Sequence, residues 1–138
     1  MNLFRLFSLI LQLPKLSVLS GTNVTRIIPE PYEKQLFNGF WKIPENLGIC
    51  LSKDIPSAKT VSSYFQNVFE ERTGKSSKVG TCSSQINDNN EYQVQILYEQ
   101  SITNEGYNLS VGNNGIIVKA SSVSGFFYAA ESVDQLID

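Results

Sequence analysis

The side chains that could act as acids, bases, nucleophiles or metal ligands are few and loosely spaced. The candidate acids are Glu70, Glu71, Glu91, Glu99, Glu105, Glu131 and Asp134. Glu70 and Glu71 are adjacent, so on a helix they face different ways. Glu131 and Asp134 are three apart and share a helix face, but that face lies opposite the apolar stripe and points to solvent. The chain has no histidine. The usual Ser–His and Cys–His nucleophile pairs cannot be built within it, and the commonest zinc ligand is missing. Cys50 and Cys82 are too far apart for a Cys-x-x-Cys redox motif. They are either inert buried thiols, the state the residues alone favour, or one disulfide, favoured instead if the chain begins with a secretion signal. Asn87-Asp88-Asn89-Asn90 lacks the ligand spacing and terminal glutamate of a calcium loop and reads as a solvated turn. Val111-Gly112-Asn113-Asn114-Gly115 joins two strands and does not enter a helix, so it is no phosphate cradle. No catalytic, cofactor-binding or metal-ligating residue is therefore expected, and no cofactor.

Length and composition narrow the classes further. The chain has 138 residues, enough for one ordinary domain, and 41% hydrophobic residues supply a core. Charged residues are only 17%, so the surface leans on 12 Asn and 17 Ser. A formal charge of −2 excludes a broad nucleic-acid footprint. Arg5 ahead of an apolar run from Leu6 to Leu13 resembles an export signal, although Pro14 and Lys15 interrupt it. The run is too short for a stable membrane span. Residues 1–21 are thus read as a signal peptide or lead-in, with native packing of this segment as the alternative. Residues 22–138 form the domain proper, expected in an exported compartment. Two N-glycosylation patterns occur, Asn23-Val24-Thr25 and Asn108-Leu109-Ser110, the second inside a strand and on that ground the poorer acceptor.

The elements that would position these groups are legible in the periodicity. The prolines of Ile27-Ile28-Pro29-Glu30-Pro31 hold an extended entry. Residues 37–43 read as a short strand or hairpin arm turning at Asn38-Gly39, with Trp41 in the core or at a domain contact. Residues 47–52 form an apolar strand. Ser57 is placed as the N-cap of a helix over 58–73, whose stripe of Val61, Phe65, Val68 and Phe69 is widened by Ala58 and Tyr64 and which ends at Gly74. A short edge strand falls within 79–86. Tyr92, Val94, Ile96 and Tyr98 alternate with Gln93, Gln95 and Leu97 along a strand with one buried side. Tyr107, Leu109 and Val111 lead through Asn113-Asn114-Gly115 to a partner strand at Ile116–Ala120. A second helix buries Phe126, Ala129, Ala130, Val133, Leu136 and Ile137. The order strand, helix, two or three strands in hairpin series, helix implies an α+β two-layer sandwich, a small mixed or antiparallel sheet with two helices packed on one face. The other face would be solvated, or covered by the N-terminal segment or a partner.

Glu105-Gly106-Tyr107-Asn108-Leu109-Ser110-Val111, Asn114-Gly115-Ile116-Ile117-Val118-Lys119-Ala120, Gly125-Phe126-Phe127-Tyr128 and Gln135-Leu136-Ile137 follow one another in an order that resembles the non-catalytic N-terminal domain of glycoside hydrolase family 20 β-N-acetylhexosaminidases. Ile28-Pro29 with Pro31 is similar to that family's opening, and the likeness runs from about Arg26 to Asp138. Residues 73–90 match poorly, and Ala129-Ala130-Glu131-Ser132 stands where Gly and Gln-Thr are common. The resemblance implies a structural accessory domain followed, after Asp138, by a (β/α)8 barrel. Cleavage of terminal N-acetylhexosamines belongs to an Asp-Glu pair in that barrel, to which no residue here corresponds. No activity is then expected of this chain alone. An alternative is a free-standing glycan- or chitin-binding module that uses Tyr92, Tyr98, Tyr107, Tyr128 and Trp41 as stacking surfaces.

Overall fold

In the computed structural model, residues 3–11, 27, 30–83 and 91–137 are described. The two helices form where the 3.6-residue period placed them. Helix α1 (Ala58–Thr73) buries Val61, Ser62, Phe65 and Phe69, and α2 (Val123–Leu136) buries Phe126, Ala129, Ala130, Val133 and Leu136. Ile137, just past α2, is buried as well. Gly74 ends α1 in the left-handed region (φ 71°), its amide donating to the Glu70 carbonyl at 2.8 Å. At the other end Ser57 stands at the expected position but not in the expected role. It adopts φ 51° and makes no side-chain cap. Ala58 is exposed and adds nothing to the stripe. Ser122 does cap α2, its hydroxyl accepting from the Gly125 amide at 3.1 Å.

The strands are β1 (Leu3–Leu11), β2 (Glu33–Lys42), β3 (Gly48–Leu51), β4 (Lys78–Thr81), β5 (Val94–Tyr98), β6 (Tyr107–Gly112) and β7 (Gly115–Ala120). They form one mixed sheet in the order β2-β1-β6-β7-β5-β3-β4. β2, β1, β6 and β7 pair antiparallel; β7, β5, β3 and β4 pair parallel. Only β6 and β7 form the expected hairpin, closed at Gly112 and Gly115. β5 does not continue that series but runs parallel between β7 and β3. Its entire buried side, Val94 and Ile96, lines up with Ile49 and Leu51 on one neighbour and Ile116 and Val118 on the other. Asn38-Gly39 does not turn the chain. β2 passes through it, and the pair falls where the β1–β2 register shifts between Arg5 and Phe7, a bulge of the kind glycine marks in strands. The N-terminal stretch Leu3–Leu11 is a member of the sheet and does not cover a face of it.

Strand alternation separates two faces. Ile49, Leu51, Val94, Ile96, Tyr107, Leu109, Val111, Ile116, Val118 and Ala120 meet the helices and are buried. By register, Cys50, Gln95, Ile117 and Ser110 share the helix-free face. Cys50 and Cys82 are not free thiols: they form a disulfide with Cα atoms 4.9 Å apart. Thr81 ends β4 opposite Leu51, and the Cys82 amide extends that ladder by donating to the Leu51 carbonyl at 3.0 Å. The bridge therefore staples edge strand β4 to β3.

α2 lies unusually close to the start of β6. A Cβ on Gly125 would come within 2.4 Å of the Gly106 carbonyl oxygen and 3.0 Å of the Ala120 Cβ. Two turns further along α2, the buried Tyr107 hydroxyl and the buried Ser132 hydroxyl share a hydrogen bond. Burial raises the Tyr107 pKa above its ordinary value of 10.0, partly opposed by the Ser132 contact.

Three outcomes follow from these contacts. Gly125→Ala is expected to destabilise the domain by about 2–3 kcal/mol, since the nearest atom is backbone and cannot rotate away; thermal unfolding measures it. Cys50→Ala with Cys82→Ala is expected to cost about 3–4 kcal/mol on the loop-entropy estimate, read as a lower denaturant midpoint that reduction of the wild type reproduces. Because the fold binds the Tyr107 proton more tightly than the unfolded chain, the corresponding stability is complete below pH 10.0 and is lost as pH rises through the folded value. Denaturation at a series of alkaline pH values should show a shallower decline for Tyr107→Phe than for wild type.

Candidate functional site

The carboxylates do not converge. Asp134 on α2 accepts from Arg72 Nε at the end of α1 (2.6 Å), joining the two helices, while Glu131 is exposed one turn earlier. Both side chains of that pair are substantially exposed, so the bond contributes less than about 1 kcal/mol. The Asp134 contact raises the Arg72 pKa by hydrogen bond and charge. Glu91 pairs with Lys78 of β4, and that ammonium also lies 5.6 Å from the centre of the Tyr92 ring. Glu99 accepts from the Ser101 hydroxyl at 3.0 Å in the loop after β5. Glu70 and Glu71 are exposed near the end of α1, and Glu105 is exposed in the loop before β6. Two-carboxylate glycoside chemistry needs acids about 5–9.5 Å apart across a shared cleft; here Asp134 is instead paired with Arg72 and Glu91 with Lys78.

A groove of about 480 Å³ lies between the first turns of α1 and the β3–β4 edge. Lys53, Lys59, Ser52, Ser62 and Thr81 supply its polar lining and Leu51 and Val79 its apolar part; no carboxylate faces it. The Ser62 hydroxyl is already committed to the Lys59 carbonyl at 3.0 Å. Among the described residues no three of His, Cys, Asp and Glu gather as a metal site, and no helix is long and apolar enough to cross a membrane. The Asn87–Asn90 turn lies outside the described residues.

The aromatics considered as a sugar platform are dispersed. Trp41 and Tyr107 are in the core, Tyr92 lies beside β4, and Tyr98 is exposed at the end of β5. Aromatic side chains gather instead in a cluster that bridges the two helices. Phe127, 40% exposed, packs edge-on against Tyr64 of α1 at 5.3 Å and against Tyr128 at 5.7 Å. This cluster was overlooked in the sequence, although the signal is there. Phe126-Phe127-Tyr128 places three consecutive aromatics about 100° apart on one helix, so one of them must point away from the core.

The segments that carry the family likeness are explained by packing. Gly125 permits the approach of α2 to the Gly106 carbonyl ahead of β6, Tyr107 reaches Ser132, and Gly115 closes the β6–β7 hairpin. The family model described as glycosyl hydrolase family 20, domain 2, matches residues 24–138. No curated protein sequence matches the chain. Among solved structures, the chain is similar to the Streptomyces plicatus N-acetyl-beta-hexosaminidase, with 21% identity and a TM-score of 0.57 over 70% of this chain and 18% of that one. It is also similar to a GH20 exo beta-N-acetylglucosaminidase from Vibrio harveyi, with 16% identity and a TM-score of 0.65 over 88% of this chain and 17% of the other. The beta-N-acetylhexosaminidase from Bacteroides fragilis gives 22% identity and a TM-score of 0.57 over 81% and 21%. At these identities the likeness speaks for the fold, and the chain spans about a fifth of the length of each relative. With 115 consecutive residues matched and the two-layer fold in common, the chain belongs to glycosyl hydrolase family 20 and corresponds to its accessory domain 2.

Proposed function

We propose that this domain supports a β-N-acetylhexosaminidase in which a separate (β/α)8 barrel cleaves terminal N-acetylhexosamines, and that the barrel seats on the helix layer around Phe127. The observation that carries the reading is the exposure of Phe127 on a helix whose other large apolar side chains are buried or half-buried. Phe127, backed by the half-buried Tyr64 and Tyr128 where the two helices meet, offers apolar surface that a neighbouring domain would remove from water. The Arg72–Asp134 bond, between the same two helices, would keep that surface in one piece. A glycan-binding role of its own is less well supported, because Trp41 and Tyr107 are unavailable for stacking.

Export is proposed with it. Disulfides such as Cys50–Cys82 persist in oxidising compartments, and the family match begins at residue 24, after the stretch read as a leader. On this reading residues 1–21 are removed, β1 leaves with them, and β6 becomes a sheet edge.

The chain alone is expected to leave a chromogenic N-acetylglucosaminide intact while the parent enzyme cleaves it. Phe127→Asp in the parent should lower the unfolding temperature of the catalytic unit and speed proteolysis between the domains, with the isolated domain's own stability nearly unchanged. Turnover by the chain alone, or a parent indifferent to Phe127→Asp, would refute the assignment. Intact mass of the exported protein is expected to place its first residue near Gly21 or Thr22. A mass that includes Leu3–Leu11 would retain β1 as a structural strand and reject the leader.

A further inference from the structure

We propose that Asn108 carries an N-linked oligosaccharide that stands on the helix-free face of the sheet. The proposal rests on the export reading above, since the transfer takes place only in a eukaryotic secretory pathway. Asn108-Leu109-Ser110 fits the acceptor pattern Asn-x-Ser. Its position within β6 argued against it in the sequence, and the structure reverses that argument. Alternation along β6 sends Leu109 into the core at 1% exposure, while Asn108 is half-buried and Ser110 is exposed on the opposite side. The two residues that define the acceptor therefore share the face that carries no helix.

The surroundings suit an attached sugar. Asn108 pairs across β7 with Lys119, and Ser110 pairs with Ile117, which is 40% exposed. Gln95, next across the sheet from Ile117, is exposed too. A glycan on Asn108 would lie over Ile117 and shield an apolar side chain that the fold leaves open on this face. The site lies across the sheet from the Phe127 cluster, so a sugar here does not obstruct a domain seated on the helices. It keeps its orientation whether β1 is retained or removed, because the β6–β7 register alone fixes it.

The Cys50–Cys82 bridge, which supports the export reading, belongs to the same oxidising route along which such transfer occurs. In the step itself, the Asn108 amide nitrogen Nδ2 bonds to C1 of the sugar of a lipid-diphosphate-linked oligosaccharide. The C1–oxygen bond to the diphosphate breaks, the lipid diphosphate leaves, and Nδ2 gives up one proton. No oxidant or reductant is involved.

The test uses the full chain as Asn23→Gln, leaving a single acceptor, secreted from eukaryotic cells behind an added leader. The monomeric, disulfide-bonded fraction is treated with peptide N-glycosidase in heavy-oxygen water and mapped by mass spectrometry. Asn108 is expected to be converted to labelled Asp. Ser110→Ala should abolish the conversion and Ser110→Thr should increase it, both at an exposed position that leaves the fold intact. An unmodified Asn108 in the secreted protein and in Ser110→Thr alike overturns the proposal, as does sugar confined to retained, disulfide-free chain. If the leader-borne chain carries the sugar while the chain with its own N-terminus stays in the cell, the export reading fails and the glycan site stands.

Discussion

The close approach of α2 to the first residues of β6 is the constraint on which the rest of the domain depends. It is a contact of backbone against backbone: Gly125 has no side chain because the Gly106 carbonyl occupies the space a Cβ would need. That proximity lets Tyr107, fully buried, satisfy its hydroxyl on Ser132 and leave no unpaired polar group beneath the helix. With α2 fixed, Phe126 and Val133 fill the layer between the helices and the sheet, and α1 closes it with Phe65 and Phe69. A buried Tyr–Ser pair specifies register in a way a purely apolar contact does not, because sliding α2 by one turn would strand both hydroxyls.

The segments that identify the family are thus the ones the packing requires. Glycine recurs where two backbones meet, tyrosine where a large ring must end in a polar atom, and Asn-Gly where a hairpin closes. None of these positions bears a group suited to bond cleavage, and of the carboxylates that could do so Asp134 is held by Arg72 and Glu91 by Lys78. The chemistry of the domain's surface is one of contact. The helix side presents aromatic rings, and the opposite side presents Gln95, Ser110 and Ile117.

Much of this was legible in the sequence, for a physical reason. Helix α2 keeps its period through Phe126, Ala129, Ala130, Val133 and Leu136 because these touch one core, and the β6–β7 hairpin is a local structure that two strands and a turn determine by themselves. What failed depended on distant partners. Nothing near β5 says that it pairs in parallel with β7 and β3, since that choice is made by apolar side chains on other strands. Asn38-Gly39 has turn-forming residues, but the long ladder of β2 with β1 carries the backbone through them. Ser57 has a capping side chain, yet its own left-handed backbone turns that side chain away from the helix. The cysteines were ambiguous because a sequence separation of 32 says nothing of whether two sulfurs meet. The exposed position of Phe127 was readable from three successive aromatics, but it needed the observation that no helix can bury all of them.

The parallel half of the sheet bears on how the domain comes into being during synthesis. β3 waits for β5, β5 waits for β7, and the layer above them stays open until α2 arrives, so nascent chain leaving the ribosome exposes its greasy strands until almost the whole domain has been made. The final helix acts as a latch, and the interval before it closes is when the growing polypeptide is most in need of a chaperone.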